Sequence, residues 1–404
     1  MTMTSTPRGT LSKLSGAAKL NTMPDTVRTA IGLAALAAAL LVIAPLVLTE
    51  FRLNLLAKFV CYAIVAVGIG LAWGRGGMLT LGQGVFFGVG GYAMAMHLKL
   101  ADASLDGGSG VPDFMLLYGD GTVPWWWEPF RSGAFTIGAI IVLPAIVALV
   151  LGLAVFKRRV KGAYFAILSQ ALVAAFVVLL VGQQPTTGGT NGLNGFRSFF
   201  GLALADAQNK RMLYFIAVGV LLLMMIIAFL LMRSRFGELL VATRDAEERV
   251  RFLGYDPAWI KTVTFVIAGV MAGLAGALFV PIVGIISPAD IGVVPSIGFV
   301  VGVAVGGRAS LFGPVLGAIG VAWAETSLSE AFPSFWIYFQ GLLLILVIAF
   351  LPGGIASIVT LIRRQRGTAS TEPKLVGAAD DAPPGESTGE TLDAQTDDAK
   401  EPRA

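Results

Sequence analysis

Long apolar runs separated by short polar breaks set the pattern of this chain. Runs of about 20 residues, enough for a helix to cross a hydrocarbon core of about 30 Å, fall near 29–49, 53–74, 77–98, 134–156, 162–182, 212–232 and 262–286. Two shorter runs follow near 296–306 and 312–330, and a last one near 335–359. The pattern predicts an all-α, polytopic integral membrane protein of about ten transmembrane helices, some of them short or broken. Its solvent is membrane lipid.

Composition agrees. Of 404 residues, 56% are hydrophobic and only 13% charged, about half the charged share of a soluble domain. The placement of the positives fixes the orientation. With the N-terminus in the cytoplasm, the inner loops hold Arg75, "KRRVK" (157–161), the six positives from Arg233 to Lys261, Arg308 and "RRQR" (363–366). The outer loops keep only Arg52, Lys99, Arg131, Arg197, Lys210 and Arg211. That asymmetry follows the positive-inside rule. Reading 296–330 as one span would put "RRQR" outside, so both termini are expected in the cytoplasm. The first span is preceded by Arg8, Lys13, Lys19 and Arg28 and followed by "LTEFRLN" without a small-residue cleavage site, so it reads as uncleaved.

The expected organisation is a cytoplasmic segment 1–28, a membrane domain 29–362 and a tail 363–404. The tail is rich in Pro, Gly and acid, with almost no bulky apolar residues. It cannot bury a core and is expected to be disordered.

Three loops exceed what a connector needs. The outer segment 99–133 carries the triplet Trp125–Trp127, which suits an aromatic belt at the headgroups or, alternatively, a docking or gating surface. "QQPTTGGTNGLNGF" (183–196) has turn-forming Gly, Thr and Asn. It is either a plain loop or a segment folded back to line an outer mouth, since irregular backbone is tolerated where it faces a cavity. In the cytoplasmic loop 233–261, Leu239, Leu240, Ala242, Ala246, Val250 and Leu253 recur at helical spacing among charges. This predicts an amphipathic helix ended by Gly254 at the C′ position, with a stripe that packs outside the bilayer.

Catalytic and cofactor chemistry is missing. The one histidine, His97, reads as an interfacial side chain, and the one cysteine, Cys61, lies within a span. No H-E-x-x-H occurs, and without a Gly-Lys pair there is no P-loop. No cofactor, metal or nucleic acid is expected, and the chain is not an enzyme. Glu325 is the main intramembrane carboxylate; it reads as water-exposed near a span end or as a proton relay. A transporter so built needs a partner for energy, acts as a passive channel, or couples to protons.

"TLGQGVFFGVGGYAMAMHLK" (80–99) sharpens this. On a helix, Gly84, Gly88, Gly91 and Ala95 form one stripe of small residues, and 262–286 repeats the device with Gly269, Gly273 and Gly276. Small faces let backbones approach closely in lipid. Gln83, Phe87, Gly90 and Met94 form the neighbouring stripe. Gln83 there suits a narrow path lined by uncharged donors and acceptors, or else an interhelical hydrogen bond. "GGMLTLGQGVFFGVG" (76–90) is also similar to "GGRASLFGPVLGAIG" (306–320), and internal repeats are common in transporters.

"GRGGMLTLGQGVFFGVGGYAM", "TTGGTNGLNGF", the stretch from "RSRFGELLVATRDAEERVRFLGYDP" through "AGVMAGLAGALF", and "SPADIGVVPSIGFVVGVAVGGRASLFGPVLGA" resemble permeases of the branched-chain amino acid ABC transporter family (LivM type) over most of 53–358. "VPDFM", "PWWWEPF" and "RDAEERVRFLGYDP" look most like its urea-transport branch. The resemblance implies a second homologous permease, two cytoplasmic ATP-binding subunits and an extracytoplasmic substrate-binding protein as partners. It makes 233–261 the ATPase-coupling loop, with Arg244, Asp245, Glu247, Glu248 and Gly254. The family's Glu-Ala-Ala-x-x-x-Gly pattern is altered here, and its glutamate aligns with Glu248 or with Glu247. The substrate path is expected at Gln83, Gly84, Phe87, Gly88, Tyr92, Thr190 and Asn191. The substrate expected is urea or a short amide, because the third span offers amide, backbone and aromatic faces with no ionised group before His97 and Lys99, and charge is expensive at membrane depth. The alternatives are branched-chain amino acid import and a stand-alone ion-coupled carrier or channel.

Overall fold

The computed structural model describes residues 25–105, 110–160 and 162–331, with four isolated positions beyond. The segment 1–24, the last span near 335–359, "RRQR" and the tail 363–404 lie outside the described residues or almost wholly so. Most of the apolar runs become helices near their expected bounds. Helix α1 (Thr26–Val47) and α2 (Glu50–Arg75) are followed by α3 (Gln83–Leu105), the short outer helix α4 (Asp113–Tyr118), α5 (Gly133–Phe156) and α6 (Ala163–Gly182). A four-residue turn of helix, α7 (Gln184–Thr187), and three two-residue strands lead to α8 (Ala207–Arg233). The cytoplasmic loop holds α9 (Arg235–Asp245) and α10 (Glu247–Phe252), and α11 (Pro257–Val283) re-enters the membrane. Last come α12 (Pro288–Ile291), α13 (Val293–Gly306) and α14 (Phe312–Ala331). Six of these helices are long and apolar enough to span by length and composition alone. Helices α3 and α14, with 23 and 20 residues, mix glycine and polar positions with the apolar ones and fall outside those six.

Helix α11 is the hub. It packs against α3, α5 and α2, while α2 also meets α8 and α14, and α13 pairs with α14. Its start is set locally: Asp256 Oδ1 accepts from Ala258 N (2.9 Å) and Pro257 takes the first turn, where its missing N–H costs nothing. Close approach to α3 is carried by glycine. A Cβ at Gly276 would strike the Phe87 carbonyl, and one at Gly90 the Gly273 carbonyl. The small-residue stripe expected at Gly84, Gly88 and Gly91 is therefore only partly the packing face. Gly91 does face Gly276, but the closest backbone meeting uses Gly90, one residue round the helix. Gly84 and Gly88 look elsewhere, onto the 287–296 region. Gly273 meets Pro144 of α5, and Gly269 meets Ala148.

The third span is not one continuous helix from 77 to 98. Residues 76–82 are non-helical, and α3 begins only at Gln83. Gly77 takes φ +68°, a conformation open to glycine, and its N–H closes α2 on the Trp73 carbonyl (3.0 Å). The stretch beyond is held by side chains, Leu81 N donating to Ser169 Oγ (3.0 Å) and Gly82 N to Thr80 Oγ1 (3.2 Å). The similarity between 76–90 and 306–320 has a structural counterpart. Gly307, at φ +103°, donates its N–H to the Val303 carbonyl (3.0 Å), so each Gly-Gly pair ends one helix before another begins. The two turns touch: Gly74 lies against the Arg308 carbonyl, and the Arg308 guanidinium sits 4.9 Å from the Trp73 ring centre.

At the opposite end, 183–196 folds back onto the protein. Leu193–Asn194 pairs antiparallel with Ile285–Ile286, and a Cβ at Gly192 would strike the Ile286 carbonyl. Asp102 anchors the same region, accepting from Arg197 N (2.7 Å), Ser198 N (3.1 Å) and Ser198 Oγ (2.6 Å). His97 does not face solvent. It is buried, with Nδ1 2.7 Å from the Phe130 carbonyl. The tryptophan triplet is divided: Trp127 is fully buried against Phe114, whereas Trp125 is exposed.

Candidate functional site: a mid-membrane helix start tied to a cytoplasmic loop

The start of α3 lies deep in the membrane. A Cβ on Gly84 would strike the Ile291 carbonyl and the Ser296 hydroxyl. Ser296 precedes Gly306, at the cytoplasmic turn of α13, by ten residues, a rise of about 15 Å and half the hydrocarbon thickness. The non-helical 76–82 climbs from that turn to this depth, and α3 starts there. Such broken helices place backbone polar groups where a solute passes.

Three polar atoms at this level have no hydrogen-bond partner among the described residues: Gln83 Nε2, Gln83 Oε1 and Ser296 Oγ, both residues being 1% exposed. The interhelical bond considered for Gln83 is not made. Buried polar groups are paired in the great majority of cases, so an uncommitted amide and hydroxyl at one depth are chemically notable. The other expected path residues divide. Gly88 meets Ile291 and Phe176. Phe87 is enclosed in a ring cluster with Tyr62, Phe279 and Phe299, at centroid distances of 6.5, 5.2 and 5.6 Å. Tyr92, its hydroxyl also unpartnered, faces an outer cavity of about 610 Å³ with Trp125, Trp126 and Phe176. Thr190 and Asn191 are exposed on the outer face; their turn packs on α12.

The cytoplasmic loop is built differently from the single helix expected over 239–253. Ala246, at φ −150° and ψ 69°, breaks it into α9 and α10. The stripe splits accordingly. Leu240 and Val250 turn inward with Ile260, whereas Ala242 and Leu253 are exposed. Gly254 ends α10 at φ +87° with open space around it, so its role is to turn the chain.

Arg244 is the strut. Its Nη1 donates to the Gly74 carbonyl (2.8 Å), its stem lies over Gly77, and Nε pairs with Asp245 Oδ1 (2.7 Å). That hydrogen bond holds the Asp245 carboxyl below the usual carboxylate range. Glu247 and Glu248 are not equivalent. Glu247 is mostly buried and bonds Lys261 Nζ (2.8 Å) and Arg251 (3.3 Å). Glu248 is 69% exposed, with Arg251 at 3.6 Å. Beside it, Phe252, Leu253, Tyr255 and Trp259, between the end of α10 and the first turn of α11, are 90, 75, 51 and 52% exposed.

Sequence reasoning missed four residues of the membrane domain: Lys58, Asp102, Asp290 and Ser296. A lysine or aspartate within or beside an apolar run is itself a signal, and Lys58 and Asp290 were open to it. Ser296 carried none.

Residues 51–351 match the family described as the permease component of branched-chain amino acid transport systems. The chain belongs to that family. The high-affinity branched-chain amino acid transport system permease protein LivM of Escherichia coli K12 is 26% identical over 342 residues, covering 78% of this chain and 73% of LivM. LivM of Salmonella typhimurium LT2 is 25% identical over the same shares. No solved structure matches the chain. The protein is thus an all-α, multi-pass membrane permease subunit of the ABC-transporter kind and not itself an enzyme.

Proposed function

We propose that this permease forms part of the path of an ATP-driven importer whose solute is urea or a related short amide. Its partners in this reading are a second homologous permease, two cytoplasmic ATP-binding subunits and an extracytoplasmic binding protein. The observation that carries it is the connection from loop to mid-membrane. Arg244 joins the cytoplasmic loop to the Gly74 carbonyl, and the chain from there runs through 76–82 to Gln83. A partner seated on Phe252, Leu253, Tyr255 and Trp259 would move the loop, and the loop would carry the start of α3 with it. For ATP binding to drive transport, the partner must bind one arrangement of this connection better than the other.

The substrate reading rests on chemistry at the helix start. Gln83 and Ser296 offer uncharged donors and acceptors, and urea presents the complementary set without a net charge to desolvate. The second reading, branched-chain amino acid import, is favoured by the two LivM relatives, which are named for that substrate. Labelled urea and labelled leucine uptake, measured in cells with the proton gradient intact and ATP depleted, decide among the readings. Urea uptake abolished by ATP depletion is the expected result. Leucine uptake without urea uptake would overturn the substrate, and uptake that survives without any partner ATPase would overturn the importer.

A further inference from the structure

A separate crevice of about 200 Å³ opens between α2, α12, α13 and α14, lined among others by Lys58, Tyr62, Asp290, Phe299 and Glu325. It lies in the outer half of the membrane. Lys58 is eight residues along α2 from the outer end at Glu50, a rise of about 12 Å. Glu325 is thirteen residues from the cytoplasmic start of α14 at Phe312, about 20 Å. One cation and two carboxylates on spanning or re-entrant elements cost about 2.5–3.5 kcal/mol each if turned to acyl chains. The face they line therefore looks onto water or onto another protein subunit.

The chemistry of the wall is specific. Asp290 is oriented by its own turn, Oδ2 accepting from Ser287 N (2.9 Å) and Ser287 Oγ (2.6 Å). Lys58 Nζ is 5.8 Å from the Tyr62 ring centre, and that ring is 5.3 Å from Phe299. The crevice thus combines carboxylate acceptors, an ammonium donor and flat aromatic walls. Its volume is below the ~300–1,000 Å³ typical of pockets for drug-sized ligands, so the occupant is small.

We infer that this crevice is a station for the transported solute in the outer half of the membrane, and that it takes a planar amide. The amide N–H groups donate to Asp290 and Glu325, its carbonyl accepts from Lys58, and its plane lies against Tyr62 or Phe299. The inference deepens the urea reading and rests on it for the ligand's chemistry, but not for the site's existence. A zwitterion would find both charge signs here too.

The test reads the crevice directly in the assembled complex in membrane vesicles. Val294 lines it and is 52% exposed, so Val294→Cys reports on it while leaving the charged residues in place. The native Cys61 is fully buried and gives the unlabelled control. A charged, membrane-impermeant thiosulfonate should label Val294→Cys, and urea at tens of millimolar should slow labelling several-fold. Adding Lys58→Met or Glu325→Gln to this variant should abolish the protection while the complex still copurifies. Protection by leucine and not urea would keep the crevice as a solute station and overturn the substrate. No labelling, or labelling unaffected by either solute, would overturn the crevice. Loss of the partner permease from Lys58→Met or Glu325→Gln would make it a subunit contact instead and overturn it equally.

Discussion

A single methyl group separates tolerated from damaging changes along these helices. At Gly90 and Gly276 the added Cβ meets a carbonyl of the facing helix, and backbone cannot rotate away as a side chain can. Gly90→Ala and Gly276→Ala should each destabilise by about 1–3 kcal/mol, the usual cost of overpacking, and lower the melting temperature of the purified complex. Gly219 and Gly320 have open space at the same position, so alanine there should be neutral or stabilise by up to about 1 kcal/mol. Gly88 is intermediate, because it meets the side chains of Ile291 and Phe176, which can shift. Gln83 tests a different property. Gln83→Leu removes two buried, unpartnered polar atoms that each carry a desolvation cost of about 1–3 kcal/mol, so the complex should assemble at wild-type stability or above. Uptake should nevertheless fall several-fold. Loss of assembly would mean that the amide holds helices together.

At the scale of elements, the proposed coupling runs through α9 and α10. Because α9 and α10 meet at Ala246 rather than forming one helix, the two glutamates point to different tasks. Glu247→Lys places a cation beside Lys261 and Arg251, and should loosen the loop itself, visible as faster proteolysis between 235 and 257. Glu248→Lys alters an exposed position, and should leave the loop intact while weakening copurification with the ATP-binding subunit or uncoupling hydrolysis from uptake. Equal proteolysis of the two variants would contradict this division. The Arg244–Asp245 pair allows a pH statement. The Asp245 carboxyl is held below its ordinary range, so the pair is complete above the unperturbed carboxylate value. It is lost only as pH falls through the lowered one. Coupling should therefore be flat from about pH 6 to 8, both well above the unperturbed aspartate value near 3.9, whereas Arg244→Lys should impair it throughout, since lysine cannot bond Gly74 and Asp245 with a planar fork.

At the largest scale the described residues form helices packed around α11, with an irregular ascent at 76–82 and the strand pair 193–194 with 285–286. Much of this was legible. Span positions follow from apolar length, and Arg75, Arg308 and Arg244, expected on one side by charge, do gather at one end of the helices. The resemblance rested on glycine-rich segments whose spacing a helix cannot vary freely. The late start of α3 was not legible, because "GGMLTLG" is apolar enough to pass for helix. Its true conformation depends on Ser169, eighty-eight residues away, supplying a hydrogen bond.

What the sequence determined by itself is therefore whatever depends on local length and chain order: a multi-pass helical permease and its family. Only the tertiary structure decided which glycine meets which carbonyl, which glutamate is committed to a lysine, and where Lys58, Asp290 and Glu325 converge. These last three come from three helices far apart in the chain. Hydropathy averages Lys58 and Glu325 into apolar runs and leaves Asp290 in a connection between two others, and only packing brings the three to one crevice.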